Sequence, residues 1–348
     1  MSSAASIPRP SNADGTLLRT RALAKRYPVA RDVIGRPTSY LNAVRGVDLD
    51  IALGETVALV GESGCGKSTL ARLLLRLIEP SAGTVEFDGV DIATLGGGAL
   101  RRFRKDAQIV FQDPFGSLDP RFTVEAIIAE GLRNQGLGGQ ARRIRTREVL
   151  DLVELPADIV ERYPHEFSGG QRQRISIARA IAVGPRMLVL DEPVSALDVS
   201  VQSKILNLLI DLQRQLELTY LFISHDMSVV RHVANRVAVM YLGKVVELAP
   251  AAELFANPRH PYTQALLSSA PALHQQRSVR RIKLTGDVPT PVDVPPGCSF
   301  ASRCFRAVDR CTQEGPELAA LSAAAPGHAA ACFNPAPPAD SPPTAEEG

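Results

Sequence analysis

Charge imbalance is almost absent from this sequence: 39 Lys and Arg against 37 Asp and Glu leave +2, which excludes the global basic excess of a dedicated nucleic-acid binder. Any phosphate recognition must then be local. Long hydrophobic runs are missing too. Stretches such as Met187 to Leu190, or Leu73 to Ile78 with Arg76 inside it, fall far short of the roughly 18 apolar residues of a membrane span. The chain is therefore not expected to cross a bilayer. Its first fifteen residues are polar and lack the apolar core of a secretory signal, so a cytosolic address is expected. Cysteine is scarce, five in 348 residues, and four of the five lie at or beyond position 298. In a reducing compartment such clustering favours metal ligation over disulfides. No internal repeat is evident.

What is present suffices for a globular core. A content of 45% hydrophobic and 22% charged residues excludes wholesale disorder, and at about 150 residues per domain the length leaves room for two. From Leu17 to about Leu254 short apolar runs alternate with amphipathic stretches, the pattern of an α/β domain. Predicted strands are Thr56 to Val60, Ala107 to Phe111, Met187 to Leu190, Tyr220 to Ile223 and Val237 to Tyr241. The runs at 56, 187 and 220 read as central parallel strands covered on both faces. Gly54, Gly83, Gly89 and Gly243 punctuate more alternating segments, which read as hairpins of a smaller antiparallel sheet. A boundary is expected near residue 256. Beyond it come one short helix, Thr263 to Ser269, then a Pro-rich, cysteine-bearing region and a tail from about Pro335 that is expected to be disordered.

The residues from Gly61 to Thr69 fit G-x-x-x-x-G-K-[ST] between a predicted strand and a predicted helix. Gly61, Gly64 and Gly66 let backbone N–H groups turn toward phosphate oxygens, Lys67 neutralises the β and γ phosphates, and Ser68 is placed to ligate Mg²⁺. Cys65, at a variable position, reads as a small filler. Met187 to Leu190 runs into Asp191 and Glu192 at the carboxyl end of its strand, where ligands of α/β sheets gather. Asp191 can hold the magnesium shell and Glu192 is the candidate general base; an acidic helix cap is the competing reading. Ser168-Gly169-Gly170-Gln171 precedes the amphipathic run Arg172 to Ala182 and forms a capping box. Two consecutive glycines weaken a helix start, so something is expected to approach that backbone closely. A second anion site fits best if this helix end faces a neighbouring chain's ATP.

On these residues the chain resembles the ATP-binding subunit of ABC transporters, over nearly the whole cassette. The resemblance implies an α/β P-loop ATPase core with an antiparallel β subdomain, a helical signature subdomain and a small C-terminal cysteine-containing extension. It makes Gly61 to Thr69 the Walker A loop, Met187 to Glu192 the Walker B strand, and Ser168 to Gln171 the signature motif. Gln112 resembles the Q-loop glutamine that senses Mg²⁺ and the γ-phosphate. Asp198, in Ser195 to Asp198, resembles the D-loop aspartate. His225 is similar to the switch histidine, although alone it would read as a loop histidine, and Tyr27 is similar to the aromatic residue that stacks on adenine. The implied cofactors are ATP and Mg²⁺, the latter on Ser68, Gln112 and Asp191.

Further segments narrow the resemblance to the peptide and nickel importer branch: Leu74 to Gly83, Phe111 to Arg121, His260 to Leu267 and Gly286 to Cys304. The stretch from Pro28 to Leu41 and the GCGKST variant look like the second ATPase of a dipeptide or oligopeptide importer. The expected organisation is a flexible N-terminus over 1–15, a cassette over 16–255 with a helical subdomain at about 113–182, an extension over 256–334, and a tail over 335–348. The implied partners are a second ATPase subunit, two membrane-spanning permeases and an extracytoplasmic peptide-binding protein, with no nucleic acid. The implied location is the cytoplasmic face of the plasma membrane. The same engine would serve nickel, glutathione or another small solute. A non-transport relative acting on DNA or ribosomes would carry long coiled coils between Lys67 and Ser168, or two cassettes. A P-loop kinase with an unrelated metal domain leaves the signature helix and His225 unexplained.

Cys298, Cys304, Cys311 and Cys332 are spaced too widely for the tight C-x-x-C pairs of zinc ribbons, although Cys₄ zinc stays open. Four thiolates are also the ligand set of an iron–sulfur cluster, and the resemblance implies a [4Fe-4S] cluster here. On a helix Cys304 and Cys311 would share a face. Arg303, Arg306 and Arg310 are interleaved with the cysteines and are expected to offset a cluster's negative charge. Reduced thiols filling a small domain are the alternative, and His328 lies near without being required as a ligand.

Overall fold

The computed structural model describes residues 14–32, 34, 36–269, 282–286, 289–292, 294, 296–321 and 326–338. Most of the expected flexible N-terminus and the tail from 339 onward lie outside them. In chain order the elements are β1 Thr16–Arg31, β2 Pro37–Ala52, β3 Thr56–Val60, α1 Lys67–Leu74, β4 Ala82–Phe87, β5 Val90–Asp91, α2 Gly97–Asp106 and β6 Ala107–Val110. There follow α3 Pro114–Ser117, α4 Val124–Asn134, α5 Gly139–Leu152, α6 Gly169–Ala182, β7 Met187–Asp191, α7 Val199–Leu216, β8 Thr219–Ile223 and α8 Met227–Val233. The last are β9 Arg236–Tyr241, β10 Lys244–Pro250, α9 Ala251–Ala256, α10 Pro261–Ser268, α11 Arg310–Gln313, β11 Ala319–Ala320 and β12 Ala329–Ala330. No helix among the described residues is long and apolar enough to cross a membrane.

The chain divides into two compact units. The first takes residues up to 23, 48–56 and 70–223; the second takes 24–47, 57–69 and those from 224 on. In the first unit β6, β7 and β8 pair in parallel, with Val110 opposite Leu190 and Asp191 opposite Ile223. Every residue of β7 and β8 is buried, which is why their sequences show no polar alternation. β4 and β5, which lie wholly in this unit, belong to a four-stranded sheet of order β2-β1-β4-β5. Helices α3 to α6 fall between β6 and β7.

In the second unit β3 pairs in parallel with β9, β9 in antiparallel with β10, and β10 with β12. Its core gathers Val60, Val237, Val239, Tyr241, Tyr262 and Phe300. The rings of Tyr241, Tyr262 and Phe300 pack with centroids 4.7, 5.2 and 5.4 Å apart. Side chains from β9, α10 and the cysteine-bearing region thus share one apolar cluster, and burial of such rings dominates core energetics.

Several expectations need correction. The Gly243 hairpin joins β9 to β10 in the sheet that holds β3, not in the smaller sheet, and Gly83 lies inside β4 rather than at a turn. Cys304 and Cys311 share no helix. Cys304 ends a short 3₁₀ turn over Ala301–Arg303, and Cys311 sits in the separate one-turn α11. Their seven-residue spacing therefore does not place them on one face.

Candidate functional site

In the second unit β3 ends at Val60 and the chain loops over to α1. A Cβ on Gly61, whose φ is 153°, would lie 2.2 Å from the Met240 carbonyl oxygen, and one on Gly66, φ 108°, would lie 2.1 Å from that of Ala43. Only glycine fits where the backbone approaches so closely. Ser63 and Gly64 face outward between these two tethers. Lys67 is buried, and its ammonium donates to the Gly61 and Glu62 carbonyl oxygens at 2.8 and 3.0 Å. Cys65 is buried in the loop; burial pushes its thiol pKa up, partly opposed by the nearby Lys67 charge. A filler role agrees with this environment. Ser68 and Thr69 open α1 half-buried.

Glu62 is pinned at three points. Its N–H donates to the Tyr262 hydroxyl at 2.8 Å, its carbonyl accepts from Lys67, and its carboxylate takes a two-pronged bond from Arg303 at 2.9 and 3.1 Å. Sequence reasoning missed Glu62 and Tyr262, and it assigned Arg303 to the thiols. The only available signal was the co-occurrence of an acid in the loop with a buried-type arginine far downstream. Elsewhere in this unit His225 is exposed, directly before Asp226, whose carboxylate caps α8 by accepting from the Ser228 N–H at 2.8 Å. Tyr27 is half-buried in β1, with the Lys25 ammonium 5.1 Å above its ring.

In the first unit Asp191, 8% exposed, closes β7. Glu192 follows with φ 49°, a left-handed conformation uncommon for a residue with a side chain and characteristic of functional turns. Its N–H donates to the Ile223 carbonyl at 3.0 Å, and its Oε2 accepts from Gln112 Nε2 at 2.8 Å. Two residues that sequence reasoning singled out separately, 80 positions apart, are thereby in contact. The N-cap of α7 is Asp198. Asp198 Oδ1 accepts from the Ser200 hydroxyl at 2.7 Å and the Val201 N–H at 3.0 Å, and these bonds hold its carboxyl below the usual range.

Ser168 caps α6 in the expected box: its Oγ accepts from the Gln171 N–H at 3.4 Å, and Gln171 Oε1 accepts from the Ser168 N–H at 3.0 Å. Helix α6 begins at Gly169, so both glycines lie inside it. A Cβ on Gly170 would stand 2.5 Å from Val201 Cγ1, and one on Gly169 3.3 Å from Leu197 Cδ2. The close approach inferred from the sequence is met within the chain by α7 and the turn before it. Ser168 and Gln171 remain exposed.

The three guanidinium groups bond elsewhere, although the Arg306 charge still pulls the Cys304 thiol down and the Arg306 N–H donates to Cys304 Sγ at 3.4 Å. Arg303 engages Glu62, Arg306 bonds the Asn334 side chain at 3.2 Å, and Arg310 pairs with Glu314 at 2.9 Å while stacking 4.1 Å from the Phe333 ring centre. His328 is buried with Nε2 2.7 Å from Glu247 Oε1. Among the described residues no group of three or more His, Cys, Asp or Glu is arranged to hold a metal ion. The four cysteines are neighbours. Burial, and secondarily charge repulsion from Cys304, Cys298 and Cys311, pushes the Cys332 thiol up to about 11. Burial likewise raises Cys298 and Cys304, whereas metal ligation requires thiolates.

Comparison with known proteins gives the family of the chain. The ABC transporter profile matches residues 44–195, and that of the oligopeptide/dipeptide transporter C-terminal region matches 246–311. The oligopeptide transport ATP-binding protein AppF of Bacillus subtilis is 48% identical over 321 residues, 91% of this chain and 97% of AppF. The di/tripeptide transport ATP-binding protein DppF of Pseudomonas aeruginosa is 46% identical over 307 residues, 88% of this chain and 95% of DppF. The ATP-binding cassette MJ0796, solved as a dimer in a post-hydrolysis state with ADP and Pi, matches with a TM-score of 0.60 at 30% identity, covering 68% of this chain and 99% of its own. The chain belongs to the ABC transporter family, among the ATP-binding subunits related to AppF and DppF.

Proposed function

We propose that this chain powers peptide uptake by a binding-protein-dependent ABC importer, hydrolysing ATP on behalf of membrane-spanning permeases. One observation carries the reading: a single chain joins the ABC ATPase profile to the oligopeptide/dipeptide transporter C-terminal profile. The family's enzymatic activity is ATP hydrolysis coupled to transport, and the chain's lack of a spanning helix among its described residues suits a subunit docked peripherally on its permeases. The cassette is assigned to 16–255 and the peptide-importer extension to 256–334.

The roles proposed are those that the family resemblance implies. Residues 61–69 receive the triphosphate: loop N–H groups and the start of α1 face the phosphates, and Lys67 offsets their charge. Ser68, Gln112 and Asp191 supply the oxygen donors that Mg²⁺ prefers, and the ion, when bound, neutralises charge on the phosphate oxygens. Glu192 takes a proton from the attacking water, its carboxylate oriented by Gln112 Nε2 at 2.8 Å. His225 donates to the γ-phosphate as charge develops there, and Tyr27 stacks on the adenine. Ser168, Gly169, Gly170, Gln171 and Asp198 face the nucleotide of a second ATPase subunit. The dimeric state of the structural relative MJ0796 supports that division of labour.

Glu192→Gln tests the assignment. In the assembled transporter, with the partner ATPase also silenced, turnover is expected to fall at least about a hundredfold while MgATP still binds. Near-normal hydrolysis would remove Glu192 from the role of base. The finest part of the reading is that Cys298, Cys304, Cys311 and Cys332 take a [4Fe-4S] cluster. The Cys298 N–H donates to the Cys311 carbonyl at 2.8 Å, and Cys298 and Cys304 pack against the same core cluster, which supports it. Burial, which pushes the Cys298, Cys304 and Cys332 thiols up, opposes it, and no step of hydrolysis depends on it. Iron and sulfide in equal amounts in anaerobically purified protein would establish the cluster; neither element would exclude it.

A further inference from the structure

We propose that Arg303, carried by the cysteine-bearing C-terminal segment, is a positioning residue for the nucleotide phosphates, acting by clamping Glu62 at the entry of the phosphate loop. The inference rests on the reading of residues 61–69 as the triphosphate-binding loop and adds to it a contribution from outside the cassette. Arg303 Nη1 donates to Glu62 Oε2 at 2.9 Å and Nη2 to Oε1 at 3.1 Å, a fork-to-fork pair between residues 241 positions apart. The arginine side chain is 9% exposed and that of Glu62 28%. This is no solvated surface pair of negligible worth.

The clamp is itself anchored. Arg303 Nη1 also donates to the Tyr241 hydroxyl at 3.3 Å, and the Arg303 N–H bonds the Phe300 carbonyl at 3.0 Å. Phe300 is 1% exposed in the aromatic cluster with Tyr241 and Tyr262, and the Tyr262 hydroxyl accepts the Glu62 N–H. The peptide before the exposed Ser63 and Gly64 is therefore held from both ends by the same cluster. Lys67 cannot replace this restraint, because its ammonium, now on the Gly61 and Glu62 carbonyls, is the group that must also serve the phosphates. Charge gives a second reason. An unpaired carboxylate on a loop that admits a triphosphate opposes binding, and the guanidinium offsets it with geometry that an ammonium lacks.

The test uses the full-length chain and MgATP binding by calorimetry, with thermal melts to confirm folding. Arg303→Ala is expected to weaken MgATP about tenfold, the scale of a lost hydrogen bond to a charged group. Arg303→Lys should fall between the two. In the assembled transporter the KM for ATP should rise with kcat unchanged, a split that mere loss of stability does not produce. In a Glu62→Ala background Arg303→Ala should change affinity no further. Wild-type affinity in folded Arg303→Ala, or a full further loss in the Glu62→Ala background, overturns the inference. If Arg303→Ala fails to fold, wild-type affinity in Arg303→Lys overturns it instead. Lys67→Ala separates the two readings: binding retained there sinks the phosphate-loop assignment together with this inference, whereas binding lost there but retained in Arg303→Ala sinks only the clamp.

Discussion

Acid should loosen the second unit through His260. This residue is 1% exposed at the N-cap of α10, where its Nδ1 accepts the Tyr262 N–H at 3.1 Å. The ring must be neutral to keep that lone pair. Burial holds its pKa down from 6.5 to about 4, against the opposing pull of the Glu247 carboxylate and a hydrogen bond to the Ala331 backbone. The unfolded chain takes up the proton near pH 6.5 and the folded chain only near 4. The stability contributed by this site is thus complete above the upper value and is lost as pH falls toward the lower one. The difference between 6.5 and about 4 corresponds to roughly 3 kcal/mol in full, of which about 2 kcal/mol is lost between pH 7 and pH 5. Urea denaturation near those two pH values, on wild type and on His260→Asn, isolates this group, since asparagine keeps an N-cap acceptor without titrating. The variant should lose about 2 kcal/mol less over that interval. Parallel pH profiles for the two proteins would refute the reasoning. The Tyr262 hydroxyl that accepts the Glu62 N–H rides on the same helix.

Gly170→Ala drives a Cβ to 2.5 Å from Val201 Cγ1, and the overpacking should destabilise the first unit by about 1 kcal/mol or more. Val201→Ala should restore most of that loss in the double variant, as read from denaturant midpoints; an additive pair of losses would count against the contact. Phe300→Ala removes a ring 1% exposed and should cost about 3–5 kcal/mol. A melting temperature within error of wild type would show that the C-terminal segment does not share the core.

Much of the fold was legible because burial leaves marks in the sequence. β3, β7 and β8 are buried along their whole length, so their runs of Val, Leu and Ile needed no partner to be recognised. The need for glycine at Gly61 and Gly66 was equally legible, because the backbone crowding there admits no side chain. The pairing of Gln112 with Glu192 was not. Each lies at the end of its own strand, and only the parallel register of β6 and β7 brings those ends level. The double glycine of α6 shows the opposite failure. The residues correctly announced a close approach, but whether the neighbour is another chain or Val201 of this one depends on packing that spacing does not encode.

The C-terminal region was the least legible, and the reason bears on how this protein works. Arg303, Arg306 and Arg310 sit among cysteines in the sequence, so chain proximity assigned them to thiolates. In the fold each turns to a different partner. What redirects Arg303 is the burial of Phe300: once the ring is fixed against Tyr241 and Tyr262, the next turn of chain projects the guanidinium at Glu62. A short segment that contributes little helix or strand of its own thereby gains a defined geometry from the core of the unit that carries the phosphate loop. Any change that moves Phe300, by substitution or by new ligation of the neighbouring thiols Cys298 and Cys304, must move the Arg303 clamp with it, because the Cys304 N–H and the Arg303 N–H are both tied to the turn that begins at Cys298.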